Sequence, residues 1–414
     1  MLEKMKNAWR IPELRKKIIY TFGMLLMYRL LCVIPVPGMN IEAVSSALSQ
    51  FSILEFMNMM TGGSFSQMTI MAMGITPYIN ASILLQLLTV AVPALEKLAK
   101  EGAEGRKKIS EWTRYLTVAL AFVQAVGLVF AMRATSKGGL WYVVIGISMA
   151  AGTALAMWIG ERITEKGLGN GISLLIMTGV VSNLFNWARS AIAGVFNGTV
   201  SFLPVLVVLV VFLAMIVAIT YIDMGERRIP VQYAKRMVGR KMYGGQSTHI
   251  PMKINSTGVM PLIFGFAILQ FPATIFAFFP TSGINQWWIG FQGGIVYQFV
   301  LALLIIAFTY FYTSITFNPV DISKNMQQNG GIIPGIRQGR ATSDYLSRVS
   351  GRLTLFSALF LAVLATIPTL ITNLFGITAP FAASSVLIAV SVGIETIRQI
   401  EAQMVMRHHK GFLG

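Results

Sequence analysis

Residues 202–222 read FLPVLVVLVVFLAMIVAITYI, a stretch of 21 residues without a charged side chain. At an α-helical rise of about 1.5 Å per residue, a stretch of this length crosses the hydrocarbon core of a bilayer, which is ~30 Å thick. The stretch therefore predicts a transmembrane helix, and it identifies the chain as an integral membrane protein.

The rest of the chain has the same apolar character. Its 414 residues are 55% hydrophobic and only 12% charged, whereas soluble domains carry about 25% charged residues. Nine further apolar stretches of comparable length occur at 18–36, 68–90, 115–132, 140–159, 172–192, 258–279, 295–317, 353–374 and 383–400. The sequence thus predicts an all-α integral membrane fold of ten transmembrane helices.

The basic residues orient these helices. The formal net charge is +17, and 29 of the 33 Lys and Arg residues fall on one side if the N-terminus is inside. Cytoplasmic segments carry such an excess of positive charge. An even number of helices returns the chain to the side on which it began, so we expect both termini in the cytoplasm. In a soluble chain such a charge would suggest nucleic acid; in a membrane protein it indicates cytoplasmic loops rich in Lys and Arg.

Two predicted cytoplasmic loops, 225–257 and 318–352, stand out by their length. In the first loop, residues 229–233 and 250–254 alternate with a period of two, which predicts a two-stranded hairpin. Setting topology and attracting lipid phosphates is one role for such basic loops. Both loops exceed the length that topology needs, so partner docking is the alternative.

A short apolar segment at about 53–67 is followed by 68–90, the second predicted span. It is too short to cross a bilayer. It lies either on the membrane surface as an interfacial helix or inside the protein as a re-entrant segment, because irregular backbone at membrane depth must be buried or face a watery cavity.

The spans offer little chemistry. Arg29 is the single charge well inside a span, and a snorkelling or structurally paired role is favoured for it. Cys32 is the only cysteine, so no intramolecular disulfide can form. The spans contain no acidic or histidine relay, nucleotide-binding motif, metal-ligand cluster or catalytic constellation. We therefore predict no enzyme, metal or cofactor. A channel, a secondary transporter of small solutes and, less well supported, a membrane insertase or enzyme are the alternatives.

A series of motifs resembles the SecY family, whose members form the channel of the bacterial protein-export machinery. The matching stretches are MTGGSFS (60–66), AMGITPYINASILLQLL (72–88), KEGAEGRKKI (100–109), GLGNGIS (167–173), FPAT (271–274), NPVDIS (318–323) and PGIR (334–337). Each motif is short, but together they run in order through nearly the whole chain.

The resemblance implies two five-helix halves, roughly 1–195 and 196–414, arranged as an inverted repeat. It also implies that the segment at about 53–67 is a re-entrant plug that closes the channel from outside. The plug residues are Ile53, Leu54, Phe56, Met57, Met60, Gly62 and Gly63.

The resemblance further implies an aliphatic pore ring, which resists ion leakage by dewetting. The ring positions are Ile75, Ile79, Ile176, Val180, Ile263 and Ile388. A lateral gate is expected between the second and seventh spans, with Asn80 and Phe271 as candidates. We expect Pro77 to permit bending of the second span near its start.

By the same resemblance, the two long loops would dock the motor ATPase SecA and the ribosome, and these partners would supply the energy. Arg337 is the principal docking candidate; the others are Arg227, Arg228, Arg236, Arg240 and Lys241. SecE-type and SecG-type subunits, signal peptides, nascent chains and membrane lipids are the further partners implied. The expected location is the bacterial cytoplasmic (inner) membrane.

Overall fold

A computed structural model of the chain describes residues 9–39, 44, 58, 61–131, 138–198, 201–233, 236–238, 241–243, 247–277, 282–292, 294–375 and 383–410. Within these ranges the protein is predominantly helical, and each of the ten apolar stretches overlaps one helix.

The first half of the chain contains the first five of these helices and one short surface helix. The helices are α1 (Pro12–Leu31), α2 (Thr76–Ala91), α3 (Pro93–Lys100), α4 (Ala103–Ala131), α5 (Gly138–Lys166) and α6 (Gly171–Phe196). Helix α2 bends by 106° into α3, the short surface helix, at a break beside Pro93.

The second half contains the other five long helices and two shorter ones, at 283–292 and 319–328, that hydropathy did not predict. The helices are α7 (Phe202–Met224), α8 (Met260–Ala277), α9 (Gly283–Gln292), α10 (Ile295–Thr316), α11 (Pro319–Gln328), α12 (Arg340–Phe375) and α13 (Ala383–Lys410).

By length and composition, six helices in the described part of the chain can cross a membrane, and the bent pair α2–α3 would make a seventh. The chain is therefore a multi-pass membrane protein. Helices α1, α8 and α13 fall outside this set; the part of α8 that is described in full, Met260–Leu269, is shorter than a span. The count of ten spans stays a prediction.

The expectation of an all-α fold needs one correction, because a small β-sheet lies between α7 and α8. Strands β1 (Glu226–Tyr233) and β4 (Ser247–Lys253) form the predicted hairpin, with Ile229 opposite Ile250. Strands β2 (Arg236–Val238) and β3 (Lys241–Tyr243) pair near its tip. A fifth strand, β5 (Gly331–Ile332), comes from the second long loop and pairs with β1.

The two long loops therefore form one structural unit, which we call the sheet end of the molecule. Alternate β1 side chains point inward and pack against helices α11 and α12. The buried apolar residues of this unit are Ile229, Val231, Met252, Met326, Ile333 and Leu346. Burial of these side chains, rather than the two-residue strand β5, holds the loops together.

The halves of the chain meet at a central apolar cluster. Helix α13 packs against α6 and α7, so the last helix of the chain inserts between elements of both halves. Ile388 and Val392 of α13 are buried there among Tyr28 of α1, Ile159 of α5 and Leu175 of α6. The candidate ring residues lie in and around this cluster.

Candidate functional site

The six candidate ring residues come together in the central cluster, although 313 positions separate the first from the last. Ile75, Ile176, Val180 and Ile388 are buried, with exposed fractions of 6%, 6%, 2% and 3%. Ile79 and Ile263 are partly buried and pack against the same cluster. The arrangement draws on α2, α6, α8 and α13, and therefore on both halves of the chain.

Helical spacing explains how single elements supply two members each. Ile176 and Val180 are four residues apart on α6 and share one face. Ile75 is the residue before the first turn of α2, and Ile79 follows four positions later. Aliphatic side chains offer no hydrogen-bond partner to water or ions, so the cluster excludes both.

The segment that precedes α2 is irregular and mostly buried. Residues 61–75 form consecutive turns, so α2 begins at Thr76 and not at residue 68 as hydropathy predicts. The segment is held at α1's end by two backbone bonds, from Val36 N to Met68 O and from Ile70 N to Ile34 O, each 2.9 Å. Burial removes the cost of irregular backbone at membrane depth.

Gly62 and Gly63 begin this segment with φ of +70° and +87°, a backbone conformation that favours glycine. Gly62, Ser64 and Phe65 are buried and Gln67 is exposed, so the described part of the candidate plug lies mostly inside the protein rather than on its surface. The other candidates, Ile53, Leu54, Phe56, Met57 and Met60, lie outside the described residues.

A second apolar contact joins α2 to α8. Ile83 of α2 is buried with Phe264 and Ala267 of α8. The Phe264 ring lies 5.4 Å from the Phe308 ring of α10, centroid to centroid. Helix α8 also contacts α4, so these two neighbours flank the contact. We call this contact the α2–α8 seam.

The two gate candidates lie on the helices that form the seam. Asn80 is a buried polar residue of α2. Phe271 belongs to α8, and its side chain lies outside the described part of the structure. Both helices contain a proline, but only one can weaken its helix.

The expectation that Pro77 bends the second span is wrong. Pro77 lies in the first turn of α2, where the backbone N–H groups have no intrahelical partner in any case. Pro272 instead lies inside α8 and removes an interior hydrogen bond. Pro272 therefore weakens α8 locally, whereas Pro77 leaves the hydrogen bonds of α2 intact.

The described docking candidates lie at the sheet end. Arg337 is exposed in the turn after β5, and its backbone oxygen accepts a 2.9 Å hydrogen bond from Thr342 Oγ1. Arg227 and Arg228 are exposed on β1, where Arg228 Nε pairs with Glu226 Oε1 at 2.7 Å. Because Arg228 is already paired, Arg227 and Arg337 are the candidates that are better placed to bind a partner. The side chains of Arg236 and Lys241, and the whole of Arg240, lie outside the described residues.

Sequence patterns missed the polar junction at Asn255, between β4 and α8. This buried amide donates from Nδ2 to Asp223 Oδ1 at 3.3 Å. Its Oδ1 accepts from Ser357 Oγ of α12 at 3.2 Å and from Thr257 Oγ1 at 3.4 Å. The junction connects the segment after β4 to the long helices α7 and α12, and no local sequence motif predicts it.

A second polar junction surrounds the 167–170 turn between α5 and α6. Asn170 caps α6 by accepting from the backbone of Ile172 and Ser173. Thr21 Oγ1 accepts from Leu168 N, and Gln399 Oε1 accepts from Gly169 N, each at 3.0 Å. The turn therefore ties α1 to α13. In the described residues, His, Cys, Asp and Glu form no group of three that could hold a metal ion.

These features define a class of protein: a multi-pass helical membrane protein whose two halves meet at a buried aliphatic cluster. The SecY family model matches residues 69–397. The SecY translocase subunit of Streptomyces coelicolor is 41% identical over the full length of both chains. The SecY translocase subunit of Thermotoga maritima is 41% identical over 100% of this chain and 98% of the relative. The chain belongs to the SecY family, as the motif series predicts.

Solved structures share the fold. A structure described as a protein conducting channel aligns with a TM-score of 0.70 at 20% identity, covering 94% of this chain and 93% of the other. Sec61 in the canine ribosome–channel complex aligns with a TM-score of 0.67 at 19% identity, with the same coverage of each chain.

Proposed function

We propose that this chain is the protein-conducting channel subunit of a Sec translocase in the bacterial cytoplasmic membrane. It passes unfolded polypeptides across the membrane and releases apolar helices sideways into the lipid. The observation that carries this proposal is the convergence of six aliphatic residues from four elements at the centre of a SecY-family fold.

The aliphatic cluster would act as the constriction. An ion that enters it loses water and gains no replacement ligand, so the idle channel stays tight. An extended peptide meets only dispersion contacts there, which have no sequence preference. The same ring can therefore block ions and pass diverse substrates.

Residues 53–67 would close the channel as a plug on the external side. The described part of this segment supports the assignment, because Gly62 packs directly against the backbone of Gly179, one residue before the ring member Val180. A plug seated there covers the constriction.

Release into lipid would occur at the α2–α8 seam. The described contacts across this seam are apolar, so acyl chains or an apolar substrate helix can replace them at little cost. A signal helix gains about 25 cal/mol per Å2 of apolar surface that it removes from water. Pro272 would let α8 bend away, with Asn80 and Phe271 at the gate.

The sheet end would face the cytoplasm, with both termini on the same side. Its basic residues would bind SecA and the phosphates of ribosomal RNA, the latter in a salt-sensitive manner. Arg337 would be the main contact, with Arg227, Arg228, Arg236, Arg240 and Lys241 around it. SecE-type and SecG-type subunits would complete the translocase, and a partner would supply the energy.

The alternative of a small-solute transporter finds no support. Coupled transporters place ionisable groups at a binding site inside the membrane. Arg29 is the one charge well inside a predicted span, and its guanidinium donates to a backbone carbonyl.

Protease protection in proteoliposomes tests the proposal. The liposomes contain this chain with a SecE-type partner, SecA, ATP and a precursor that bears a signal sequence. We expect ATP-dependent protection of the precursor, and none for the same precursor without its signal. Absence of protection, with all partners shown to be bound, would refute the channel assignment.

A further inference from the structure

Arg29 lies in the last turn of α1 and contacts two other elements at once. Its Nη2 donates a hydrogen bond to the backbone oxygen of Thr178 on α6. The guanidinium also lies against Gly62, where a Cβ atom would come within 2.7 Å of Nη2 and 2.8 Å of Nη1. A cation at membrane depth is costly, so its partners require an explanation.

Gly62 is enclosed on both sides. A Cβ atom at this position would also lie 2.8 Å from the backbone oxygen of Gly179. The irregular segment is therefore clamped at Gly62 between the guanidinium of Arg29 and the backbone of α6. Any side chain at residue 62 would displace one of these two surfaces.

A second tie lies further along α6. Asn183 Nδ2 donates to Asn58 O at 3.2 Å, and Asn58 Oδ1 accepts from Ser66 N at 2.9 Å. The two ties fix the described residues between 58 and 66 to one helix.

A cavity of about 560 Å3 adjoins both ties. Its lining includes Arg29 and polar groups from both sides: Asn58, Ser64, Ser66, Gln67, Ser182, Asn183 and Asn186. Leu26, Leu30, Cys32 and Val33 also line it, so the lining is mixed, but a cavity of this volume with this many polar groups has room for water. The guanidinium can therefore leave the Thr178 carbonyl and stay hydrated, which makes the contact reversible.

We propose that Arg29 is a positioning residue that holds Asn58 and residues 61–66 against α6 and so keeps the idle channel sealed. This inference rests on the proposed function of the chain as a protein-conducting channel. In the sealed state the guanidinium bonds Thr178 and covers Gly62. In the open state it turns into the polar cavity and releases the segment.

The test compares Arg29→Met with Leu30→Met in proteoliposomes that lack SecA. Leu30 is the adjacent residue; it is 63% exposed and lines the same cavity, but its aliphatic side chain can donate no hydrogen bond to Thr178. Loss of one charge-assisted hydrogen bond should raise idle potassium efflux about 10- to 100-fold for Arg29→Met. Leu30→Met should leave the efflux at the wild-type value.

A double-mutant cycle separates this role from general destabilisation. Arg29→Met and Asn183→Ala break different ties, so their effects should combine. Thermal unfolding and SecA-driven precursor transport should stay near wild type in Arg29→Met.

The outcomes distinguish the two proposals. If wild-type proteoliposomes do not transport the precursor, the channel assignment itself is wrong. If they transport it and Arg29→Met leaks no more than Leu30→Met, the inference about Arg29 is wrong. A leak that appears only together with a lowered unfolding temperature and lost transport also overturns it, because Arg29 would then be needed for folding alone.

Discussion

Polar substitution of two ring residues should make the idle channel leak ions. Ile176 and Ile388 suit the test because they come from different halves of the chain and are only 6% and 3% exposed. Serine at these positions removes the aliphatic side chain and supplies a hydroxyl that can bind water. A hydrated ring no longer excludes ions by dewetting.

The burial of these side chains sets the expected size of the effect. Burying an isoleucine side chain contributes about 1.5–3 kcal/mol, and nearly all of this applies at such low exposure. If the same free energy keeps water out of the ring, one Ile→Ser change raises ion efflux about 10- to 150-fold. The two residues belong to one cluster, so the double variant should exceed each single variant without reaching their product.

Potassium efflux from proteoliposomes without SecA measures this effect. Val217→Ser is the matched control, because Val217 is 68% exposed on α7 and lies outside the cluster. Ile388→Val is a second control that keeps the ring aliphatic. If the Ile176→Ser, Ile388→Ser double variant stays folded and leaks no more than Val217→Ser, the cluster is not the constriction.

Three further predictions concern the sheet end. Arg337→Glu should reduce SecA-driven protease protection at least about tenfold, because charge reversal in a docking surface is costly. The unfolding temperature of this variant should not change, and normal transport by it would show that Arg337 does not belong to the docking surface. Leu346→Ala should destabilise the sheet end by about 2–5 kcal/mol, because Leu346 is fully buried there. The rate of amide hydrogen exchange in β1 should rise, and an unchanged rate would show that β1 and α12 do not share one apolar core. Asn255→Ala should lower the free energy of unfolding by about 1–3 kcal/mol, because it leaves Asp223 and Ser357 without their shared partner. Thermal unfolding checks this, and a wild-type midpoint would show that the junction contributes nothing to stability.

Hydropathy predicted the helices well where the chain is uniformly apolar. The stretch 202–222 corresponds closely to α7, which ends at Met224. The hairpin was also predictable, because alternation along 229–233 and 250–254 is a local property and the observed register pairs Ile229 with Ile250. Such features depend on neighbours in sequence, so the sequence contains the information directly.

Hydropathy failed where distant contacts decide the backbone. Residues 68–75 are apolar and extend the second predicted span, yet they form turns because they bond to the end of α1. Likewise, β5 is two residues long and exists only because β1 provides its partner. No periodic pattern marks either feature.

The candidate ring shows both what the sequence could predict and what required the tertiary structure. Composition, spacing and charge determined that the chain is a multi-pass membrane protein, and the motif series identified the SecY family. Neither could place Ile75 and Ile176 in one cluster with Ile388, because side chains of the same type occur throughout the spans and any of them can face lipid. The partner of Arg29 could not be predicted from the sequence either, because it is the backbone carbonyl of Thr178 and every residue has such a carbonyl. The tertiary structure alone decided these contacts, because packing between helices far apart in sequence sets which apolar faces meet.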